Sequence, residues 1–441
     1  MGKAGGAPLR VAVVGGGPAG TFFALYALRY ASLAGCDLSI TIYEAKDFRH
    51  FGRAGCNMCA GIVPAFVLAR FAELGLSIPP QLILNRISSY SLHTPAGALS
   101  ATQPDAQAEI LSVYRGAGPL SGASVGSIGF DQMLLEEAES RGARLKRSSV
   151  QAIRRAQPHP RPIEVVSGDE TEEYDLVVLA TGVNPQAIQL QVEGFHYRPP
   201  RTELMCQAEL HLGRDEVERR LASAVHVFLP PDDIAAFGIL IPKGPFVTVS
   251  LLNTRQHMHS LSQFLALDDV STLVGTRITR VCGCQARTAI GPAKGFVGDG
   301  LVAIGDAAAT RLYKNGLGSA LVTAERAAWT AIYRGWSKED FRVSYLPLCR
   351  AIGNDNRLGR LLFLEVPLLK RSQALAMAHC RLAAEARQGR HASELHARVL
   401  WGMFTGTHSY GDMLRMAVSP DLVIQLALAL ASSLRKGKPL R

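Results

Sequence analysis

The chain has 441 residues, 48% hydrophobic, 19% charged and 7% aromatic, a composition that supplies a packed core and excludes wholesale disorder. At roughly 100 to 200 residues per domain it accommodates about two to four units, and its longest apolar runs stay well short of the ~18 residues a membrane-spanning helix needs. The surplus of Lys+Arg 47 over Asp+Glu 37, +10 in all, suits phosphate-bearing cofactors, nucleic acid or an anionic membrane face.

The first predicted element is a strand, Leu9 to Val14, followed at once by Gly15-Gly16-Gly17-Pro18-Ala19-Gly20 and an apolar helix through Ala34. Gly15 permits the turn, Gly17 lets the backbone approach a pyrophosphate, and Gly20 lets the helix pack on the strand, while the helix N-terminus offers N–H groups to phosphates. A second strand, Leu38 to Tyr43, ends at Glu44, placed as a ribose-hydroxyl acceptor roughly twenty residues past the glycines. A Gly-rich loop alone can be merely a turn; strand, helix, second strand and terminal acid in register point to an unphosphorylated dinucleotide ribose, hence FAD or NAD.

Next come Arg53 and the segment Gly55 to Pro64, with Cys56 and Cys59 spaced C-x-x-C, readable as a redox pair, half a metal site or core thiols. No further histidine or cysteine completes a metal spacing, so no metal is expected. Arg115, which by itself reads equally as a solvated loop residue, precedes Phe130-Asp131 and an amphipathic helix to Gly142. A Pro-rich stretch, Pro158 to Pro162, reads as a loop, and Tyr174 to Gly182 as an apolar strand ending where Ala180 and Gly182 can pass near a cofactor. Alternation from His226 to Leu229 and from Phe246 to Leu252 predicts an antiparallel sheet. Leu301 to Ala308 carries Gly305 and Asp306, and leads through Arg311-Leu312-Tyr313-Lys314-Asn315 to Gly316-Leu317-Gly318 and a long apolar helix. From about residue 346 the chain reads as helices, among them 358–369, 373–387 and 393–403. The last one starts at Ser419-Pro420 and is followed by Arg435, Lys436, Lys438 and Arg441. This helix with its basic tail is either a core or dimer helix or an element lying on an anionic bilayer. The basic residues are otherwise scattered, so nucleic acid is not expected. Eight cysteines are too sparse for a disulfide scaffold and no apolar block precedes the first strand, so a cytoplasmic, reducing setting is expected, with the protein either free or peripheral to a membrane.

Together, the GxGxxG, the ATG-type strand end and the G-D-A-A segment resemble the FAD-binding framework of the p-hydroxybenzoate hydroxylase-like flavoproteins. The resemblance implies that Gly15, Gly17, Pro18, Ala19, Gly20, Glu44, Arg53, Arg115, Ala180, Gly182, Gly305 and Asp306 bind FAD. In that framework Asp306 takes the ribityl or pyrophosphate region, and Gly316, Leu317 and Gly318 lie against the flavin. Cys59-Ala60-Gly61-Ile62-Val63-Pro64 is similar to the C-G-G-x-(I/V)-P segment of geranylgeranyl reductases, with Ala60 replacing a glycine. Phe237-Gly238-Ile239-Leu240-Ile241-Pro242-Lys243-Gly244 is similar to their Y-x-W-x-F-P-K segment without its tryptophan, which implies a substrate pocket lined by Phe237, Ile239, Ile241 and Pro242.

The expected fold is α/β. A discontinuous Rossmann-like FAD-binding domain (1–85, 108–190 and 285–345) would carry an inserted antiparallel-sheet substrate domain (86–107 and 191–284) and a helical C-terminal region (346–441). The expected activity is reduction of carbon–carbon double bonds of a prenyl or other hydrophobic molecule, with NAD(P)H or a ferredoxin-like redox partner as transient electron donor. Cys59, Tyr313 and Lys314 are the candidate proton donors or positioning groups. Two alternatives stay open: a flavin monooxygenase hydroxylating or epoxidising an apolar substrate, and a non-catalytic electron-transfer subunit.

Overall fold

The computed structural model of the chain describes residues 8–102, 109–119, 128–155, 162–183, 188–252, 258–275, 278–313, 316–386 and 391–436. Its organising element is a six-stranded sheet. Leu9–Val14 runs parallel between Leu38–Tyr43 and Leu176–Leu179. Arg144–Lys146 lies parallel outside the former, Leu301–Ala303 parallel outside the latter, and Val297–Gly298 closes that edge antiparallel. Central strands covered on both faces read as unbroken apolar runs, which is why Leu176–Leu179 and the end of Leu9–Val14 show no polar alternation. The helices Pro18–Ala34 and Gly316–Tyr333 pack together and join the same core through Phe22, Phe23, Leu321 and Ala324.

A four-stranded sheet, Glu170–Tyr174, Ile163–Ser167, Ala152–Arg155 and Gln189–Val192, is tied to the first by carboxylates of its edge strand, Glu172 with the most partners. Glu172 accepts hydrogen bonds from the hydroxyls of Tyr174 (2.6 Å) and Tyr43 (2.8 Å) and from Arg144 Nη2 (2.8 Å), with Lys146 Nζ at 2.9 Å. Burial pushes its pKa up, but these donors outweigh burial and hold it down from 4.5 to about 2. A depressed carboxylate stabilises the fold above its unfolded pKa and loses that contribution as the pH falls through the folded value. Glu172→Gln is therefore expected to be less stable than wild type at neutral pH, with the gap in thermal unfolding closing between pH 4.5 and about 2. A gap of constant size down to the lower limit would rule out the charge as its source.

The third sheet has seven strands, in the order Thr279–Ala289, Thr202–His211, Phe246–Leu252, Phe237–Lys243, Ala224–Phe228, Ser89–Thr94 and Gly97–Thr102. It is antiparallel except where Ala224–Phe228 meets Ser89–Thr94 in parallel. Helices from residue 346 onward cover one of its faces. The predicted helix 358–369 is two helices, Leu346–Phe363 and Val366–Arg371. Pro367 has no N–H for the Phe363 carbonyl four residues back, so the ladder breaks there. Pro420–Lys436 packs on Gln373–Ala386 and His391–Thr405, burying Leu422 and Ala429 while exposing Val423, Ile424 and Leu428. No single helix among the described residues is long and apolar enough to cross a membrane. The tail residues Lys438 and Arg441 and most of the Pro158 to Pro162 stretch lie outside the described residues.

Candidate functional site

The glycine loop between Leu9–Val14 and Pro18–Ala34 is shaped by close approaches. Gly15 has φ +111°, and a Cβ there would sit 2.5 Å from the Ala180 carbonyl oxygen. At Gly20 a Cβ would come within 2.0 Å of the Gly15 carbonyl oxygen. Both positions exclude any side chain, and together they dock the helix start and the Ala180 strand end on the turn. Gly17 differs: the nearest atom to its Cβ position is Asn57 Nδ2 at 3.8 Å. The chain itself therefore does not require glycine at residue 17. Glu44 lies against the loop, with Oε2 accepting from the Gly16 N–H at 2.9 Å and Oε1 from the Lys46 N–H at 2.8 Å. Burial raises its pKa, and these two hydrogen bonds oppose the rise.

The second part of the site comes from the turn after Leu301–Ala303. Gly305 has φ +59° and packs on Ala19, whose Cβ would be 2.8 Å from a Gly305 Cβ, and its N–H donates to Thr323 Oγ1 at 2.8 Å. This holds Asp306 beside Gly316, where a Cβ would lie 3.7 Å from Asp306 Oδ2. Asp306 Oδ1 is shielded from solvent without a hydrogen-bond partner. Burial raises the pKa of the carboxyl, while Thr310 and the Arg115 charge pull it back. A buried acceptor without a donor, next to a loop that leaves its middle glycine free, fits a ligand bearing hydroxyls and a pyrophosphate.

Arg115 is not a solvated loop residue. Its side chain is 9% exposed and its guanidinium forks onto the fully buried Asp131, with Nη2 to Oδ2 at 2.7 Å and Nε to Oδ1. The backbone sets up this pair: the Asp131 N–H donates to the Arg115 carbonyl at 3.0 Å and that of Phe130 to Tyr114 at 2.9 Å. Gly129 permits the approach, since a Cβ there would sit 2.3 Å from the Gly116 carbonyl oxygen. Burial lowers the Arg115 pKa, but Asp131 and the Cys59 sulfur raise it further than burial lowers it. Asn57 Nδ2 also donates to Asp131, linking this pair to the space beside Gly17.

Beyond Asp306 and Arg115 opens a cavity of about 340 Å³. Phe237, Ile239 and Ile241 line it, on one face of their strand as the two-residue period requires. Pro242 is on the other face and is no part of the wall; its carbonyl accepts from Ser112 Oγ at 2.9 Å. Cys59, Tyr313, Gly316 and Leu317 also line the cavity; other strands of the seven-stranded sheet, through residues such as Tyr90, Val227 and Leu252, and the C-terminal helices supply much of the remaining wall. Tyr313 sits at φ +54°, and its hydroxyl donates to Glu203 at 3.1 Å; burial and Glu203 push its pKa up to about 12. Its proton is committed away from the cavity. Arg53 is on an exposed turn, Gly52–Ala54, and Lys314 lies outside the described residues.

The two motif segments on either side of the cavity meet in three dimensions. Gly61 has φ +72°, and a Cβ there would come 2.0 Å from the Val113 carbonyl oxygen and 3.0 Å from Lys243 Nζ. Lys243 is 1% exposed, with Nζ 4.6 Å from the Tyr114 ring centroid. Tyr114 and Thr248 both donate to the half-buried Glu209, whose pKa desolvation raises while the Lys243 charge opposes the rise. Sequence reasoning noted Lys243 only as part of its motif and missed Glu209, Asn57 and Asp131 as partners. The signal available for Asp131 was an acid in the first turn of a helix, which is ordinarily a capping preference.

No protein-family profile matches this chain, and no curated protein matches its sequence. Solved structures do match its fold. A geranylgeranyl bacteriochlorophyll reductase-like protein from Thermoplasma acidophilum superposes with a TM-score of 0.67 at 14% identity, over 96% of this chain and 100% of that one. The myxobacterial chondrochloren halogenase, a variant of the FAD-dependent halogenases, gives 0.63 at 15% identity over 96% and 97%. A p-nitrophenol 4-monooxygenase from Pseudomonas putida gives 0.62 at 12% identity over 92% and 98%. The chain thus has the fold shared by this reductase-like protein, the FAD-dependent halogenase and the monooxygenase.

Proposed function

Proceeding from that shared fold, we propose that this chain is an FAD-dependent oxidoreductase that saturates carbon–carbon double bonds in a prenyl or other apolar molecule. The observation that carries the reading is the apolar cavity whose wall includes Cys59, Gly316 and Leu317, directly beside the Asp306 carboxylate with its unpartnered Oδ1. When bound, FAD supplies the hydride from its reduced ring. The chain's own residues bind and orient. The glycine loop and the N-terminus of Pro18–Ala34 take the pyrophosphate, Glu44 the ribose hydroxyls, and Asp306 a ribityl hydroxyl that satisfies Oδ1. The apolar wall excludes water from the alkene.

Adding hydrogen across an alkene also consumes a proton. Cys59 holds one at Sγ on the cavity wall, and the Arg115 guanidinium stabilises the thiolate that donation leaves behind. Tyr313 is the poorer donor because Glu203 takes its hydrogen bond. A nicotinamide or ferredoxin-like donor restores the electrons transiently. Anaerobic turnover of the FAD-loaded protein with a panel of prenyl lipids, read by mass spectrometry, is expected to add two hydrogens to one of them. Cys59→Ala is expected to slow substrate-dependent flavin reoxidation about a hundred-fold at unchanged flavin occupancy, the scale of a lost general acid. A product carrying an added oxygen, formed only in air, would replace this reading with the monooxygenase one, and an unchanged Cys59→Ala rate would return the thiol to a packing role.

A further inference from the structure

The helical wall of the cavity carries a chain of three polar side chains that the reaction above does not use. Glu365 sits at the break between Leu346–Phe363 and Val366–Arg371, His379 on Gln373–Ala386, and His396 on His391–Thr405. All three line the cavity. Glu365 Oε1 is 3.0 Å from His379 Nε2, and His379 Nδ1 is 2.9 Å from His396 Nε2. The chain runs inward from solvent: side-chain exposure is 44% at Glu365 and 8% at His379, and His396 is 3% exposed as a residue. It ends at His396 Nδ1, a buried ring nitrogen with no hydrogen-bond partner.

The order of protons follows from the inventory of donors and acceptors. A carboxylate only accepts, so a neutral His379 carries its hydrogen on Nε2 and presents a lone pair at Nδ1. His396 must then donate from Nε2, which leaves Nδ1 as a bare acceptor. Burial, followed by the neighbouring His379, lowers the His396 pKa to about 3, so the ring stays neutral and the lone pair stays available. Thr405 Oγ1, on the same helix, is already engaged: it donates to the Trp401 carbonyl at 2.7 Å. Among the described residues no lysine or arginine lines the cavity.

We infer that His396 Nδ1 is the receptor for a hydroxyl on an otherwise apolar substrate, so that the molecule turned over is a long-chain alcohol rather than a hydrocarbon or a phosphorylated prenyl. An alcohol donates one hydrogen bond and brings no charge, which matches an unpartnered buried acceptor in a mostly apolar wall. A diphosphate brings negative charge and acceptors to a wall offering another acceptor, a nearby carboxylate and no cation. The relay also positions the receptor, because Glu365 sets the tautomer of both rings.

This inference rests on the cavity being the site of an apolar substrate. The test uses the FAD-loaded full chain, titrated with a C20 prenyl alcohol, its methyl ether and its diphosphate, with binding read from the flavin spectrum. The ether keeps the shape and removes the donor. Wild type is expected to bind the alcohol at least about ten-fold more tightly than the ether, the scale set by an unpaired buried acceptor, and to bind the diphosphate most weakly. In His396→Phe the alcohol-to-ether ratio is expected to collapse to about one while the ether still binds. Equal affinity for alcohol and ether in wild type, a measurement that needs no variant, overturns the hydroxyl receptor and leaves the apolar-cavity reading standing. A preference that survives in His396→Phe overturns it as well. Failure of both alcohol and ether to bind overturns the cavity reading and this inference with it.

Discussion

Gly17→Val is expected to yield a folded protein that no longer holds FAD. The two neighbouring motif glycines serve the chain itself, since Cβ atoms would sit 2.5 Å from Ala180 O at Gly15 and 2.0 Å from Gly15 O at Gly20. Contacts that short cannot be relieved without moving backbone, so Gly20→Val is expected to fail at folding. Gly17 has φ −70° and only Asn57 Nδ2, at 3.8 Å, near its Cβ position, so valine fits the chain without strain. The side chain would instead occupy the space beside the N-terminus of Pro18–Ala34, where a pyrophosphate must lie. An intrusion of that size costs roughly 3 kcal/mol in a close-packed site, about a hundred-fold in flavin affinity. Reconstitution with FAD, followed by flavin absorbance and urea unfolding of both variants, measures this directly. Full flavin occupancy in Gly17→Val would remove the dinucleotide from this loop, whatever the fate of Gly20→Val.

Asp131→Ala is expected to cost about 3–5 kcal/mol in urea unfolding, because it strands the Arg115 guanidinium in a site where its side chain is 9% exposed. The loss should be far smaller when both partners go: Arg115→Met with Asp131→Leu removes the buried charge and its counterion together. Flavin binding separates structure from site. Arg115 lies near both the Cys59 sulfur and the Asp306 carboxylate. The double variant, though stable, is therefore expected to reoxidise its flavin slowly with substrate. A single variant that costs under about 1 kcal/mol, or a double variant as unstable as the single, would show that the pair does not carry this energy.

What could be read from residue order was whatever chemistry is local. The strand, glycine loop, helix, second strand and terminal Glu44 occupy one continuous stretch, and each residue's role depends on neighbours within that stretch. The G-D-A-A turn was legible for the same reason. The motif resemblance assigned Phe237, Ile239, Ile241 and Pro242 to the pocket together, whereas the two-residue period of their strand puts the first three on one face and Pro242 on the other. The helix break before Val366 was written in Pro367 but masked by the apolar run around it.

Contacts between distant residues left no comparable trace. Arg115 and Asp131 are 16 positions apart, and the sequence left Arg115 open between cofactor contact and surface residue. Glu209 and Lys243 are brought together by adjacent regions of one sheet. The Glu365, His379 and His396 chain spans three elements, and its only local sign is a histidine on the apolar face of His391–Thr405 that also carries Leu400 and Met403. A histidine there is ordinarily a satisfied core residue; the unpartnered Nδ1 that sets it apart exists only once the helices are packed.

Sequence by itself therefore determined the dinucleotide-type fold and the residues of its loop, because backbone conformation and motif spacing are short-range properties. The cavity's wall, the buried ion pair beside Cys59 and the polar end of the cavity were decided only by tertiary packing, because desolvation and orphaned hydrogen-bonding groups arise where distant segments exclude water together.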